Sequence, residues 1–172
     1  KDMEFIRSAL LGADTPWTIL GQSFGGFCAV HYLSAAPNGL TAALITGGLP
    51  PITGHADAVY EATYRRVLRR NDRYYARYPE DIAQVRRIVE YLKAHPTTLP
   101  GGSRLTVRMF QQLGMQLGRS DGFESLHYCL ETAFIEGPNG PELSHRFLRA
   151  VENKIPFDTN PIYALLHEAI YC

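Results

Sequence analysis

The ten residues Trp17-Thr18-Ile19-Leu20-Gly21-Gln22-Ser23-Phe24-Gly25-Gly26 constrain this chain more than any other stretch. A short aromatic and β-branched run leads into G-x-S-x-G, and small apolar residues come after it. Strand, tight turn and helix in that order make a nucleophile elbow, whose turn lifts a serine hydroxyl out of the sheet edge. Glycines two before and two after the serine are expected, because side chains there would collide with neighbouring backbone. Ser23 is the candidate nucleophile, and the backbone N–H of Phe24 is the candidate oxyanion donor. The competing reading is a glycine-softened turn whose serine caps the next helix.

The flanks fit a strand before the motif and a helix after it. Gly12-Ala13-Asp14-Thr15-Pro16 is a turn signal ahead of Trp17, and Phe27, Val30, His31 and Leu33 keep helical spacing until Pro37-Asn38-Gly39. A helix-like segment, Met3 to Leu11, opens the chain. Ala42 to Thr46 reads as a second buried strand, closed by Gly47-Gly48-Leu49-Pro50-Pro51. Strand, helix and strand in succession imply a parallel pair with a crossover helix.

From Asp57 onward the pattern is helical, over about 57–78, 80–95, 106–117, 123–135, 142–153 and 161–172, with almost no strand signal. Pro79, Pro96, Pro100-Gly101-Gly102, Gly118, Pro138-Asn139-Gly140-Pro141 and Pro156 divide these segments. Asn160 can cap the last one, with Pro161 in its first turn. The expected class is α/β: residues 1–54 as part of a sheet core carrying the elbow, residues 55–172 as a mostly helical block. The chain starts without a strand before its first helix and stops inside a helical pattern, so it reads as a piece of a longer protein.

At 172 residues and 45% hydrophobic content, the chain can bury one ordinary core. Seventeen basic and seventeen acidic residues leave no net field to attract nucleic acid or an anionic membrane, and no apolar run approaches a membrane span. Cys28, Cys129 and Cys172 lack a C-x-x-C pair, which suits reduced thiols in a cytoplasmic protein. The arginines at 65, 66, 69, 70, 73 and 77 look like a basic patch. Glu61, Asp72, Glu80 and Asp81 interleave with them, as on a solvated helix, and Tyr60, Tyr64, Tyr74, Tyr75 and Tyr78 are expected to pack that helix onto its neighbours.

Gly21-Gln22-Ser23-Phe24-Gly25-Gly26-Phe27-Cys28, Thr46-Gly47-Gly48-Leu49-Pro50-Pro51, Ser120-Asp121-Gly122-Phe123-Glu124, Asp158-Thr159-Asn160-Pro161-Ile162-Tyr163 and Leu166-His167-Glu168-Ala169-Ile170-Tyr171-Cys172 together resemble the proline iminopeptidases, in the branch with Gln before the nucleophile. The likeness runs over nearly the whole chain. It implies an α/β-hydrolase fold with the helical block as a cap, and a serine peptidase that removes N-terminal proline from peptides without metal or organic cofactor. In α/β-hydrolases the triad acid and histidine come after the cap, so they are expected outside this chain, as is the loop giving the second oxyanion donor. An internal set of Ser23, Asp158 and His167 has the right order but lies in or beside the last helical segment rather than at strand ends.

A peptidase restricted to free N-termini must hold a cationic amine, and a carboxylate is the economical partner. Glu168 is the first candidate. On an ideal helix it sits about 140° from the Tyr163, Leu166, His167 and Ile170 stripe, and Glu168-x-x-Tyr171 looks like the family position that holds the amine. A solvated glutamate is the alternative. Glu131 is the second candidate, on a stripe with Glu124 and His127 that resembles half of a carboxylate-bridged metal site. Without a second Glu-x-x-His pair, a polar cap face is expected there, not a metal. Phe123, Tyr128, Phe134 and Tyr163 offer aromatic surface for a proline ring, or ordinary core. An esterase or lipase with the same elbow, and a non-catalytic module that binds a partner through its helices, are the rival readings.

Overall fold

The computed structural model describes residues 1–51, 54–155 and 160–171. They divide into two compact units, Lys1–Ala58 with Leu165–Cys172, and Val59–Ala164.

The first unit begins with helix α1 (Asp2–Leu11), then strand β1 (Trp17–Gln22), helix α2 (Phe24–Ala35), a single 3-10 turn (Pro37–Gly39) and strand β2 (Leu40–Thr46). The two strands pair in parallel, Trp17 against Leu40, then Thr18 to Gln22 against Ala42 to Thr46, so Thr41 is the extra residue of a bulge. Both expected strands form, each two residues longer than expected: β1 continues past Leu20 to Gln22, and β2 starts at Leu40 in place of Ala42. The apolar side chains of this pair are not all covered: Leu20 is 71% and Leu44 55% exposed.

Arg7 fastens α1 to the turn at its C-terminal end. Its guanidinium is buried and grips Glu4 through two bonds of 2.9 Å, while Nη1 donates to the carbonyls of Ala13 at 3.0 Å and Thr15 at 2.7 Å. The Tyr32 hydroxyl of α2 donates to Glu4 Oε1 and accepts from Trp17 Nε1 at 3.1 Å. Four elements therefore share one polar node: α1, the turn after it, β1 and α2. The bond to Arg7 first, and that to Tyr32 second, hold the Glu4 carboxyl down from 4.5 to about 2.

The second unit holds most of helix α3 (Ala56–Arg77), then α4 (Asp81–Ala94), the two-residue strands β3 (Thr97–Thr98) and β4 (Arg104–Leu105), α5 (Val107–Gln111) running into a 3-10 helix (Gln112–Gly118), α6 (Gly122–Glu131), strands β5 (Phe134–Gly137) and β6 (Gly140–Leu143), α7 (His145–Lys154) and the start of α8 (Pro161–Leu166). Its core gathers Tyr74, Ile88, Leu105, Leu130, Phe147 and Val151, all nearly inaccessible to water. Capping obeys simple chemistry: the side chains of Thr106 and Ser144 accept from Met109 N at 3.2 Å and Phe147 N at 3.0 Å.

Three expectations change. The segment 134–143 forms an antiparallel hairpin and not helix ends, because Phe134-Ile135 is a strand-forming pair and Gly140 adopts φ 109° after the Pro138-Asn139 turn. The helix expected over 106–117 tightens to 3-10 at Gln112. Tyr74 packs as expected, edge-on to Tyr75 and Phe123, but Tyr64 is 66% exposed. Among the described residues Cys28 and Cys129 are free thiols, the latter pushed up to about 11 by burial; Cys172 and Pro156 lie outside the described residues.

A lowered folded-state pKa makes Glu4 stabilising at and above the ordinary carboxylate range, a contribution lost as pH falls from about 4.5 towards about 2. Urea midpoints measured between pH 6 and 2 should fall more steeply for the native protein than for Glu4→Gln. Parallel curves would show that the node contributes nothing to acid stability.

Candidate active site

β1 ends at Gln22, α2 begins at Phe24, and Ser23 between them has φ 53° and ψ −119°. It is the non-glycine residue with positive φ among the described residues, a conformation that costs an L-residue about 1–3 kcal/mol. Backbone contacts impose it. The Ser23 N–H donates to Thr46 O at 3.1 Å, and its carbonyl accepts from Gly26 N at 2.9 Å. A Cβ on Gly48 would run into the Ser23 carbonyl, one on Gly26 into Gly48, and one on Gly21 into Gly25 and Gly26, all far inside contact distance. A Cβ on Gly25 would meet nothing within 4 Å among the described residues. The expected glycine two after the serine is therefore not the crowded one; Gly26 and Gly48 take that part.

The Ser23 side chain makes no capping bond to α2, which removes the reading of a mere helix cap. Ser23 is exposed, at the positive end of the α2 dipole and beside the first-turn N–H groups of Phe24 and Gly25. Chemically, this end of α2 can present a hydroxyl and stabilise a developing oxyanion next to it.

No family model matches the chain. Over all 172 residues it is 48% identical to a proline iminopeptidase from Aeromonas sobria. It is 36% identical, over 177 aligned positions, to a proline iminopeptidase from Aspergillus aculeatus. Along its whole length the chain is similar to proline iminopeptidases. It spans 39% of the length of each of these curated relatives. That similarity implies an α/β-hydrolase, with which the parallel pair and its crossover helix are compatible.

The other residues expected from the proline iminopeptidase resemblance occupy varied settings. Glu168 is exposed and falls in the same compact unit as Ser23. The expected single helix over 161–172 is instead α8 to Leu166 and a separate 3-10 turn, Glu168–Tyr171. The 100°-per-residue argument for the face of Glu168 fails across that break, and Tyr163 and Leu166 of the expected core stripe are 47% and 56% exposed. His167 Nε2 lies 3.0 Å from the Tyr171 hydroxyl; Asp158, its partner in an internal triad, lies outside the described residues.

Glu131 is the exposed last residue of α6. Glu124, His127 and Glu131 all lie on α6, but the first two turn to partners on other helices: Glu124 Oε1 pairs with Arg77 at 2.6 Å, while His127 Nδ1 lies 3.1 and 3.2 Å from the two carboxylate oxygens of Asp81. Asp81 is 2% exposed and also accepts from the buried Tyr74 hydroxyl, while Tyr78 stacks on the His127 ring at 4.0 Å. Burial, then the bond to Asp81, push the Tyr74 hydroxyl far above its ordinary range. Glu80, Asp81 and His127 bring three donor atoms within 4.8 Å of one another, the group among the described residues that could hold a cation. Sequence spacing did not reveal this cluster, because Glu80 and Asp81 open α4 whereas His127 comes from α6. Of the four expected pocket aromatics, Phe123 is core beneath Arg70, Phe134 packs on Tyr91, and Tyr128 and Tyr163 are exposed. No described helix is long and apolar enough to cross a membrane.

Proposed function

We propose that this chain carries the nucleophile and the cap of a serine aminopeptidase that releases N-terminal proline from peptides. The observation that carries this reading is the strained, uncapped Ser23 at a strand-to-helix junction, in a chain whose curated relatives are named proline iminopeptidases. Ser23 Oγ adds to the prolyl carbonyl carbon as a histidine takes its proton. The Phe24 N–H holds the resulting oxyanion. The C–N bond then breaks, the departing peptide amine takes the proton, and water hydrolyses the prolyl ester to free proline and Ser23. The histidine and its carboxylate come from residues outside this chain, and no cofactor takes part.

Glu168 is the proposed anchor for the substrate's cationic amine, with Glu131 as its rival, and Tyr163 offers an aromatic face to the proline ring. A charged hydrogen bond of this kind is worth about 1.5–3 kcal/mol.

In the whole protein, Ser23→Ala should lower kcat on a prolyl-arylamide by about 10⁴-fold or more while leaving the circular dichroism unchanged. Retained turnover would assign the nucleophile elsewhere. Glu168→Gln should cost about 10- to 150-fold in kcat/KM on the prolyl-arylamide and spare a simple acetate ester. Equal losses on both substrates would remove its amine role, and the selective loss in Glu131→Gln instead would transfer that role.

A further inference from the structure

The arginine run of α3 separates by face once the helix is drawn. At 100° per residue, Arg66, Arg69, Arg70, Arg73 and Arg77 lie within an arc of about 100°. Asp57, Glu61 and Asp72, the acids of the same helix, fall about 110–170° from the centre of that arc. Arg65 lies beyond the arc as well and pairs with Glu61 at 3.5 Å. Asp72 follows Arg69 by about one helical turn, but among the described residues none of the acids of α3 forms an ion pair with Arg66, Arg69, Arg70 or Arg73.

The stripe borders a groove of about 650 Å³ within the helical unit, between α3 and the 3-10 helix Gln112–Gly118, a volume typical of a ligand site. Arg66, Arg69, Arg70 and Arg73 line it, no acidic residue does among the described residues, and Val67 and Met115 supply apolar surface that is 45% and 48% exposed. Arg70 is fixed: Nε donates to Leu117 O at 2.7 Å, Nη2 to Arg119 O at 2.8 Å, and the guanidinium covers the Phe123 ring at 4.5 Å. Arg77, at the far end, is paired with Glu124. Arg66, Arg69 and Arg73 have neither a carboxylate nor a hydrogen-bond acceptor among the described residues, so like charges crowd one concave surface without a counter-ion.

We propose that this groove binds an acidic peptide segment in extended conformation, its carboxylates pairing with Arg66, Arg69 and Arg73 and its apolar atoms resting on Val67 and Met115. Arg66 to Arg73 spans about 10 Å of helix, against about 13 Å between the first and last of three same-side carboxylates on a five-residue strand, a difference within the reach of long arginine side chains. Same-side carboxylates of a strand recur every ~6.7 Å, close to the ~4.5–6 Å steps between these arginines. A nucleic-acid strand fits less well. Among the described residues no aromatic side chain lines the groove, so bases would have no ring there on which to stack.

The test is fluorescence anisotropy of fluorescein-labelled Glu-Ala-Glu-Ala-Glu with the whole protein, beside prolyl-arylamide turnover as an independent reading. R66Q/R69Q/R73Q should weaken binding at least tenfold and R69Q alone severalfold, with R65Q and turnover unchanged. Binding should also weaken as salt rises. No binding by the native protein, equal binding by the triple variant, an equal loss in R65Q, or tighter binding of a single-stranded oligonucleotide of equal charge would each overturn the proposal.

Discussion

The backbone approaches itself at three glycines, and the geometry of the first unit depends on that. Gly21 is the penultimate residue of β1, Gly26 lies in the first turn of α2, and Gly48 follows the end of β2, all at distances that exclude a side chain. This packing, with the Thr46 carbonyl accepting from Ser23, over-determines the turn and holds Ser23 at positive φ against its own preference. Behind the turn, the Arg7, Glu4, Tyr32 and Trp17 node fixes the opposite end of the same strand and helix. One end of the strand–helix pair is tied to α1, and the other presents the hydroxyl.

Much of this was legible because it is local. G-x-S-x-G between an apolar run and a small-residue helix encodes its turn within ten residues, and β2 announces itself by β-branched and apolar content. What was not legible depends on distance or on departures from ideal periodicity. Thr41 bulges out of β2, which no pattern in Leu40-Thr41-Ala42 announces. Phe134 and Ile135 extend the spacing of α6 on paper, yet turn into a hairpin once Pro138-Asn139-Gly140 allows the reversal. Glu168 was oriented by assuming 3.6 residues per turn through His167, and the helix does not continue through it. The crowding role of Gly48 was invisible because its partner, the Ser23 carbonyl, is 25 positions away.

The helical unit shows two ways of handling charge. Asp81 is buried, so it must be bonded, and the hydroxyl of Tyr74 and the ring of His127 satisfy it while tying α3, α4 and α6 together. On the same α3, Arg66, Arg69 and Arg73 stand at the surface without acidic partners among the described residues. The first arrangement joins helices, and the second leaves a charged surface to be met from outside. Both were compressed, in sequence, into one run of alternating arginine, tyrosine and acid.

The most direct test of the elbow is the rate at which a fluorophosphonate labels the whole protein, with the adduct mapped by mass spectrometry, in the native form and in Gly48→Ala. The crowded turn predicts one adduct, on Ser23, and at least a tenfold slower reaction in the variant, since a methyl at Gly48 displaces the Ser23 carbonyl. An adduct on another residue, or equal rates in the two proteins, would contradict it.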